Sequence, residues 1–135
     1  MDVVPTRVLL AERCHLGEGP TYDPSTGTAW WFDILERRLF ECRLASGATT
    51  LHTLPNMASA LARIDAERQL VVTDDGLYVR TLADGAMKLF AAVEADNPLT
   101  RSNDARVHPS GTLWFGTMGR RAETGAGAIY ALLAG

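Results

Sequence analysis

Two stretches of this chain repeat each other. "YDPSTGTAWWFDI" at 22–34 and "VHPSGTLWFGTM" at 107–118 both carry Pro-Ser, then Gly-Thr, then an apolar run rich in aromatics. Gly27 and Gly111 stand 84 residues apart, which is two periods of 42. Halfway between lies "IDAERQLVVTDD", with Asp65 following Asp23 by 42. Each copy is succeeded by a further strand-like run: "RLFECRL", "GLYVRTL" and "AIYALL". A period of about 40–45 residues with several strands per unit is the mark of a β-propeller. Each unit is a small sheet that cannot bury both faces alone, so units stack around a central channel.

The strand signals support an all-β fold. "TRVLLAER", "TAWWFDI", "RLFECRL", "QLVVTDD", "GLYVRTL", "TLWFGTM" and "AIYALL" are short, aromatic or β-branched, and bounded by Gly, Asp, Pro and Ser. One segment, "ASALARIDAERQ", reads either as a helix from its alanines or as a strand over 59–64 followed by a turn. Trp30, Trp31 and Trp114 read as packing between sheets, with Trp30 and Trp114 at equivalent repeat positions. A β-sandwich is the competing architecture. At 42 residues per unit the chain holds about three blades, whereas closed propellers have about 4–8. Residues 1–135 are therefore expected to form a partial β-propeller domain. It would belong to a longer protein, or be a truncated product, or be an arc closed by self-association.

Charge and composition exclude some partners. The net charge of −3 lacks the Lys/Arg excess that phosphate neutralisation takes, so no nucleic-acid partner is expected. No apolar run approaches the ~20 residues of a membrane span. The N-terminus lacks the basic-then-apolar pattern of a secretory leader, so a cytoplasmic location is expected. Cys14 and Cys42 form no CxxC pair and are expected to be reduced thiols. His15, His52 and His108 are too dispersed for a zinc cluster, and no GxSxG elbow marks a serine hydrolase.

Two short stretches could carry chemistry. In "RSNDARVHPSGTLWFGTMG" at 101–119, strand alternation puts Arg101 and Asn103 on one face and Ser102 and Asp104 on the other. On the innermost strand of a blade, Arg101 and Asn103 would offer donors to a carbonyl or polyhydroxylated ligand. Asp104 would face a neighbouring blade and brace the turn. The alternative is an Asx-type turn with Arg101 solvated. In "HLGEGPTYD" at 15–23, Glu18 lies between two glycines, which permit close backbone approach near a propeller axis. A carboxylate there needs a cation or several donors, and a hard divalent metal would satisfy it. A plain loop is the alternative.

Taken together, "LGEGPTYDPSTGTAWWFDI", "RRLFECRLASG", "RSNDARVHPSGTLWFGTMG" and "GAIYAL" resemble the senescence-marker-protein / gluconolactonase / luciferin-regenerating-enzyme family, from about Arg7 onward. The resemblance implies a six-bladed propeller with one divalent metal ion (calcium, zinc, magnesium or manganese) at the top of its channel, and hydrolysis of sugar lactones. It gives Glu18 as the first metal ligand, and Arg101 and Asn103 as residues that hold the lactone. The family's remaining ligands, including the Asp that serves as catalytic base, fall in later blades beyond residue 135. No catalytic residue is therefore assigned here. Several members carry a substrate-binding acidic residue soon after "GTM". This chain reads "GTMGRRAETG" there, so Arg120 or Arg121 is the candidate contact, and Glu123 is given no role. A non-catalytic metal-binding or interaction propeller is the alternative function.

Overall fold

The computed structural model describes residues 1–134. It contains eleven strands: β1 (Gly17–Asp23), β2 (Thr28–Asp33), β3 (Arg38–Arg43), β4 (Thr49–Thr53), β5 (Ala58–Arg63), β6 (Arg68–Thr73), β7 (Gly76–Thr81), β8 (Met87–Ala92), β9 (Thr100–Val107), β10 (Leu113–Gly119) and β11 (Ile129–Leu132). They form three antiparallel sheets in chain order: β1 to β4, β5 to β8, and β9 to β11. The leading strands begin at residues 17, 58 and 100, so the repeat read from turn residues is the repeat of the sheets. There is no helix among the described residues, and so none long and apolar enough to cross a membrane.

Alternation along each middle strand builds two cores. In β6, Val71 packs toward the first sheet with Trp30, Phe32, Leu39 and Leu61, while its neighbour Val72 packs toward the third with Leu113 and Phe115. Each fully buried side chain of this size contributes about 1.5–3 kcal/mol of transfer free energy. The ambiguous segment at 58–69 resolves as β5 followed by a turn. Ala58, Ser59, Ala60 and Leu61 are all buried, because β5 lies between the leading strands of the other two sheets. Small side chains serve that crowding rather than helix propensity. In the turn, Asp65 accepts the Glu67 amide at 2.9 Å and pairs with Arg68 at 2.7 Å.

Three expectations change. "TRVLLAER" at 6–13 is not a strand: it has no ladder partner, and Val8 is exposed. The segment is tied down only near its end, where Arg38 donates to Glu12 at 2.7 Å and to the Arg13 carbonyl at 3.2 Å. Trp114 is not core. It points away from Leu113 and Phe115 and is 49% exposed, whereas Trp30 is 5% exposed. Both occupy the face turned toward the following sheet, and none follows the third among the described residues. Trp31 is half-buried, stacked at 5.2 Å on Phe40. Finally, "GEG" belongs to a strand, β1, rather than to a loop. Cys14 and Cys42 are both free thiols.

Candidate functional site

The leading strands β1, β5 and β9 converge, β5 against both others and β1 reaching β9. At Gly19 the backbones of β1 and β5 approach closely. The Gly19 φ is +63°, and a Cβ there would collide with the Ser59 carbonyl oxygen of β5. Between β5 and β9, the buried hydroxyls of Ser59 and Ser102 bond at 2.8 Å. The first glycine-flanked motif is thus explained by backbone approach, although only Gly19 of the pair requires it.

Glu18 sits at the start of β1, opposite Phe32, where the β1–β2 register slips before Thr21. The entry to β1 is fixed by Asp33, which is fully buried and accepts the amides of His15 at 2.8 Å and Leu16 at 3.0 Å. Burial alone would raise the Asp33 carboxyl. The Arg38 guanidinium at 2.8 Å and these amides outweigh it and hold the carboxyl below its usual range. Glu18 itself is exposed and forms no ion pair among the described residues.

Arg101 is the second residue of β9, opposite Met118, and is only 7% exposed. Its Nη1 donates to the Ser102 carbonyl at 2.9 Å, and no carboxylate reaches it at ion-pair distance among the described residues. Burial pushes this guanidinium down, the Arg120 charge adds to that effect, and the Glu18 charge opposes it. Glu18 and Arg101 are therefore brought within electrostatic reach yet left unpaired.

Asn103 departs from the expected alternation. Ser102 faces Thr117 and Ala105 faces Phe115, so Asn103 and Asp104 together oppose Gly116 in a bulge. Arg101 stays buried while Asn103 is half-buried and lines a 290 Å³ groove on the outer face of the third sheet, with Asp104, Arg106, Trp114 and Ile129. Asp104 is exposed and braces locally, accepting Arg106 at 2.6 Å and the Ala105 amide at 2.9 Å, and it faces no neighbouring sheet among the described residues.

Arg120, whose role the sequence left open, is taken up by contacts between loops. Its Nε donates to the Pro98 carbonyl at 2.9 Å, Nη2 to Asp74 at 2.9 Å, and Nη1 to the Met57 sulfur at 3.1 Å. Asn56 holds the other Asp74 oxygen at 3.3 Å. This clasp joins the β10–β11 loop to two loops of the second sheet. Only the adjacent arginines in "GRRAE" hinted at it, and nothing in "VVTDD" singled out Asp74 as the partner. Arg121 is exposed, its amide donating to Glu123 at 2.7 Å. For a divalent cation, Glu18 supplies one hard oxygen. No group of three His, Cys, Asp or Glu side chains able to hold a metal exists among the described residues, so these residues do not complete a metal site.

Comparisons with known proteins bear on this arrangement. The chain is 53% identical over 131 residues to a protein of Rhizobium meliloti (strain 1021) provisionally named a sugar lactone lactonase, covering 96% of this chain and 44% of that one. It is 34% identical to the L-arabinolactonase of Azospirillum brasilense, covering 85% and 39%. A crystal structure of regucalcin from Agrobacterium tumefaciens strain C58, described as a calcium-binding protein, superposes with a TM-score of 0.92 at 60% identity, covering 93% of this chain and 43% of that one. The chain thus spans under half the length of these relatives. Residues 16–135 match the model of the SMP-30/Gluconolactonase/LRE-like region, and the chain belongs to that family.

Proposed function

We propose that residues 1–135 are the part of a sugar-lactone hydrolase that receives the lactone. The observation that carries this reading is Arg101: a guanidinium 7% exposed, without a carboxylate partner among the described residues, on a leading strand and within reach of the Glu18 charge. Placed there, Arg101 would donate to the lactone carbonyl oxygen and stabilise the negative charge that develops on it as water attacks. Asn103, which the bulge in β9 sets apart from Arg101, would hold ring hydroxyls through its amide and carbonyl from the groove side. Glu18 would contribute one oxygen to a divalent cation, for which calcium, zinc, magnesium and manganese are the candidates. Such an ion would supply Lewis-acid chemistry, polarising a carbonyl and lowering the pKa of a coordinated water. The base that takes the proton from water is not assigned to any residue of this chain. A cytoplasmic setting fits small polar sugar substrates and the two free thiols.

The reading is tested by saturation-transfer NMR between the purified chain and D-glucono-1,5-lactone, with folding monitored by circular dichroism. Transfer is expected for the unaltered chain and should fall at least about fivefold in Arg101→Ala, the loss of a charge-assisted contact, and about threefold in Asn103→Ala, the loss of a neutral one. A pH-stat assay on the same sample should give no hydrolysis above the spontaneous rate. Absence of transfer from the unaltered chain, equal transfer from the variants, or turnover by the chain alone would overturn the proposal.

A further inference from the structure

β5 supplies no candidate site residue, yet it is the strand on which both of its neighbours rest. β1 and β9 pack along it and touch each other only sparsely, so the spacing between Glu18 and Arg101 is set through β5. Each leading strand holds an extra residue near its start. It falls between the pairings Glu18–Phe32 and Thr21–Trp30 in β1, Ala58–Thr73 and Ala60–Val72 in β5, and Ser102–Thr117 and Ala105–Phe115 in β9. A bulge re-aims the side chain that it leaves without a ladder partner. In β5 that residue is Ser59.

Ser59 reaches to both sides. Its carbonyl oxygen lies where a Cβ of Gly19 would stand, so the residue after Glu18 is pressed against β5 and β1 can come no nearer. Its hydroxyl donates to the Ser102 hydroxyl at 2.8 Å, and the Ser102 carbonyl accepts Arg101 Nη1 at 2.9 Å. Both serines are almost wholly buried, and a hydroxyl taken out of water needs the partner that each finds in the other. Packing alone does not call for these hydroxyls. Ala58 and Ala60, on either side of Ser59, fill the cores toward the first and third sheets without a polar atom. What the hydroxyl pair adds is direction: it fixes β9 on β5 at the residue next to Arg101. With no carboxylate at ion-pair distance among the described residues, Arg101 is oriented by the Ser102 carbonyl, and a shift of β9 on β5 carries that acceptor with it.

We propose that Ser59 is a positioning residue of the lactone site, its carbonyl setting the approach of the strand that bears Glu18 and its hydroxyl, through Ser102, holding the guanidinium of Arg101 in place. The inference rests on the lactone reading above and adds to it a residue that touches no substrate.

The test uses the ¹⁵N-labelled chain, its Arg101 Nε–H signal identified by loss in Arg101→Lys and its folding monitored by circular dichroism. In Ser59→Ala the order parameter at Arg101 Nε is expected to fall out of the rigid range. The dissociation constant for D-glucono-1,5-lactone, read by saturation transfer, should rise about threefold, the worth of one neutral hydrogen bond. Ser102→Ala should act alike, since it breaks the same bond from the other side. The double variant Ser59→Ala/Ser102→Ala leaves neither hydroxyl orphaned and should be no worse than either single one. A role in packing alone would lower the urea midpoint and leave the Arg101 signal and the lactone affinity unmoved. That result, or losses that add in the double variant, overturns the inference. Should Ser59→Ala fail to fold, Ser102→Ala still reads the bond. If the lactone binds but neither serine variant disturbs Arg101, this inference falls and the lactone reading stands. If the unaltered chain binds no lactone, the lactone reading falls, and the order of Arg101 in the serine variants alone decides the positioning.

Discussion

Glu94 is the joint on which the third sheet depends, and replacing it tests how that sheet is held. Its Oε1 accepts the Thr100 hydroxyl at 2.7 Å, and its Oε2 accepts Thr117 at 2.7 Å and Tyr130 at 2.8 Å. One carboxylate thus binds β9, β10 and β11 from the β8–β9 connection. Burial alone would raise this carboxyl. The hydroxyls of Thr117, Thr100 and Tyr130 prevail and hold it below its ordinary value. A hydrogen bond to a charged acceptor contributes about 1.5–3 kcal/mol and a neutral one about 0.5–1.5, so Glu94→Gln forfeits roughly 1 kcal/mol per bond. Partial re-formation through the amide brings the expected loss to about 2 kcal/mol, read by urea unfolding at pH 7.

The pH dependence follows from the direction of the shift. A carboxyl lowered in the folded state stabilises fully above its unfolded value, near ~4.3, and the gain disappears as pH falls through the lower folded value. The unaltered chain should therefore lose its advantage over Glu94→Gln on acidification below about pH 4, and the two stability curves should converge there. A difference under about 0.5 kcal/mol at pH 7 would be no more than a surface substitution gives. That result, or a difference that stays constant down to pH 3, would refute the role given to the carboxylate.

Two further substitutions probe the convergence of the sheets. Gly19→Ala forces a Cβ against the Ser59 carbonyl at a φ of +63°, so a loss above about 2 kcal/mol is expected in thermal melts. A loss below 1 kcal/mol would mean that β1 and β5 are not in close backbone contact. Arg80 is 1% exposed, sits 5.8 Å over the Trp30 ring, and reaches only Gln69 at 3.3 Å, its Nε finding no acceptor among the described residues. Because it has no counter-ion at bonding distance, Arg80→Met should be neutral or stabilising by about 1 kcal/mol. A loss beyond 2 kcal/mol in denaturant unfolding would show that the cation itself holds the two sheets together.

The repeat was legible because it is written in turn chemistry. Gly27 and Gly111 both adopt positive φ, at 64° and 90°, and a turn that needs the left-handed region leaves a glycine in the sequence wherever it recurs. The aromatic middle strands were legible for the same local reason. The outer strands β4 and β8 were missed: "TTLHT" and "MKLFAA" are largely exposed edge strands with little apolar patterning to mark them. "TRVLLAER" failed in the opposite sense, having strand-like composition without a ladder to join, since β-propensity measures fit to a neighbour rather than a property of the segment.

The site divides along the same line. Glu18 and Arg101 lie in motifs short enough to read locally, on leading strands that both pack against β5, and Gly19 lets β1 close on it. The placement of Asn103 depends on the bulge opposite Gly116, where two residues share one partner and alternation ceases to hold. The Asp74–Arg120 clasp joins positions 46 residues apart in different sheets, and no local pattern encodes it. What a sequence reading supplies at such a site is the inventory of charges. Which of them are already spent on each other, as Arg120 is on Asp74, and which are left without a counter-ion among the described residues, as Arg101 is, is settled only by the packing of one sheet on the next.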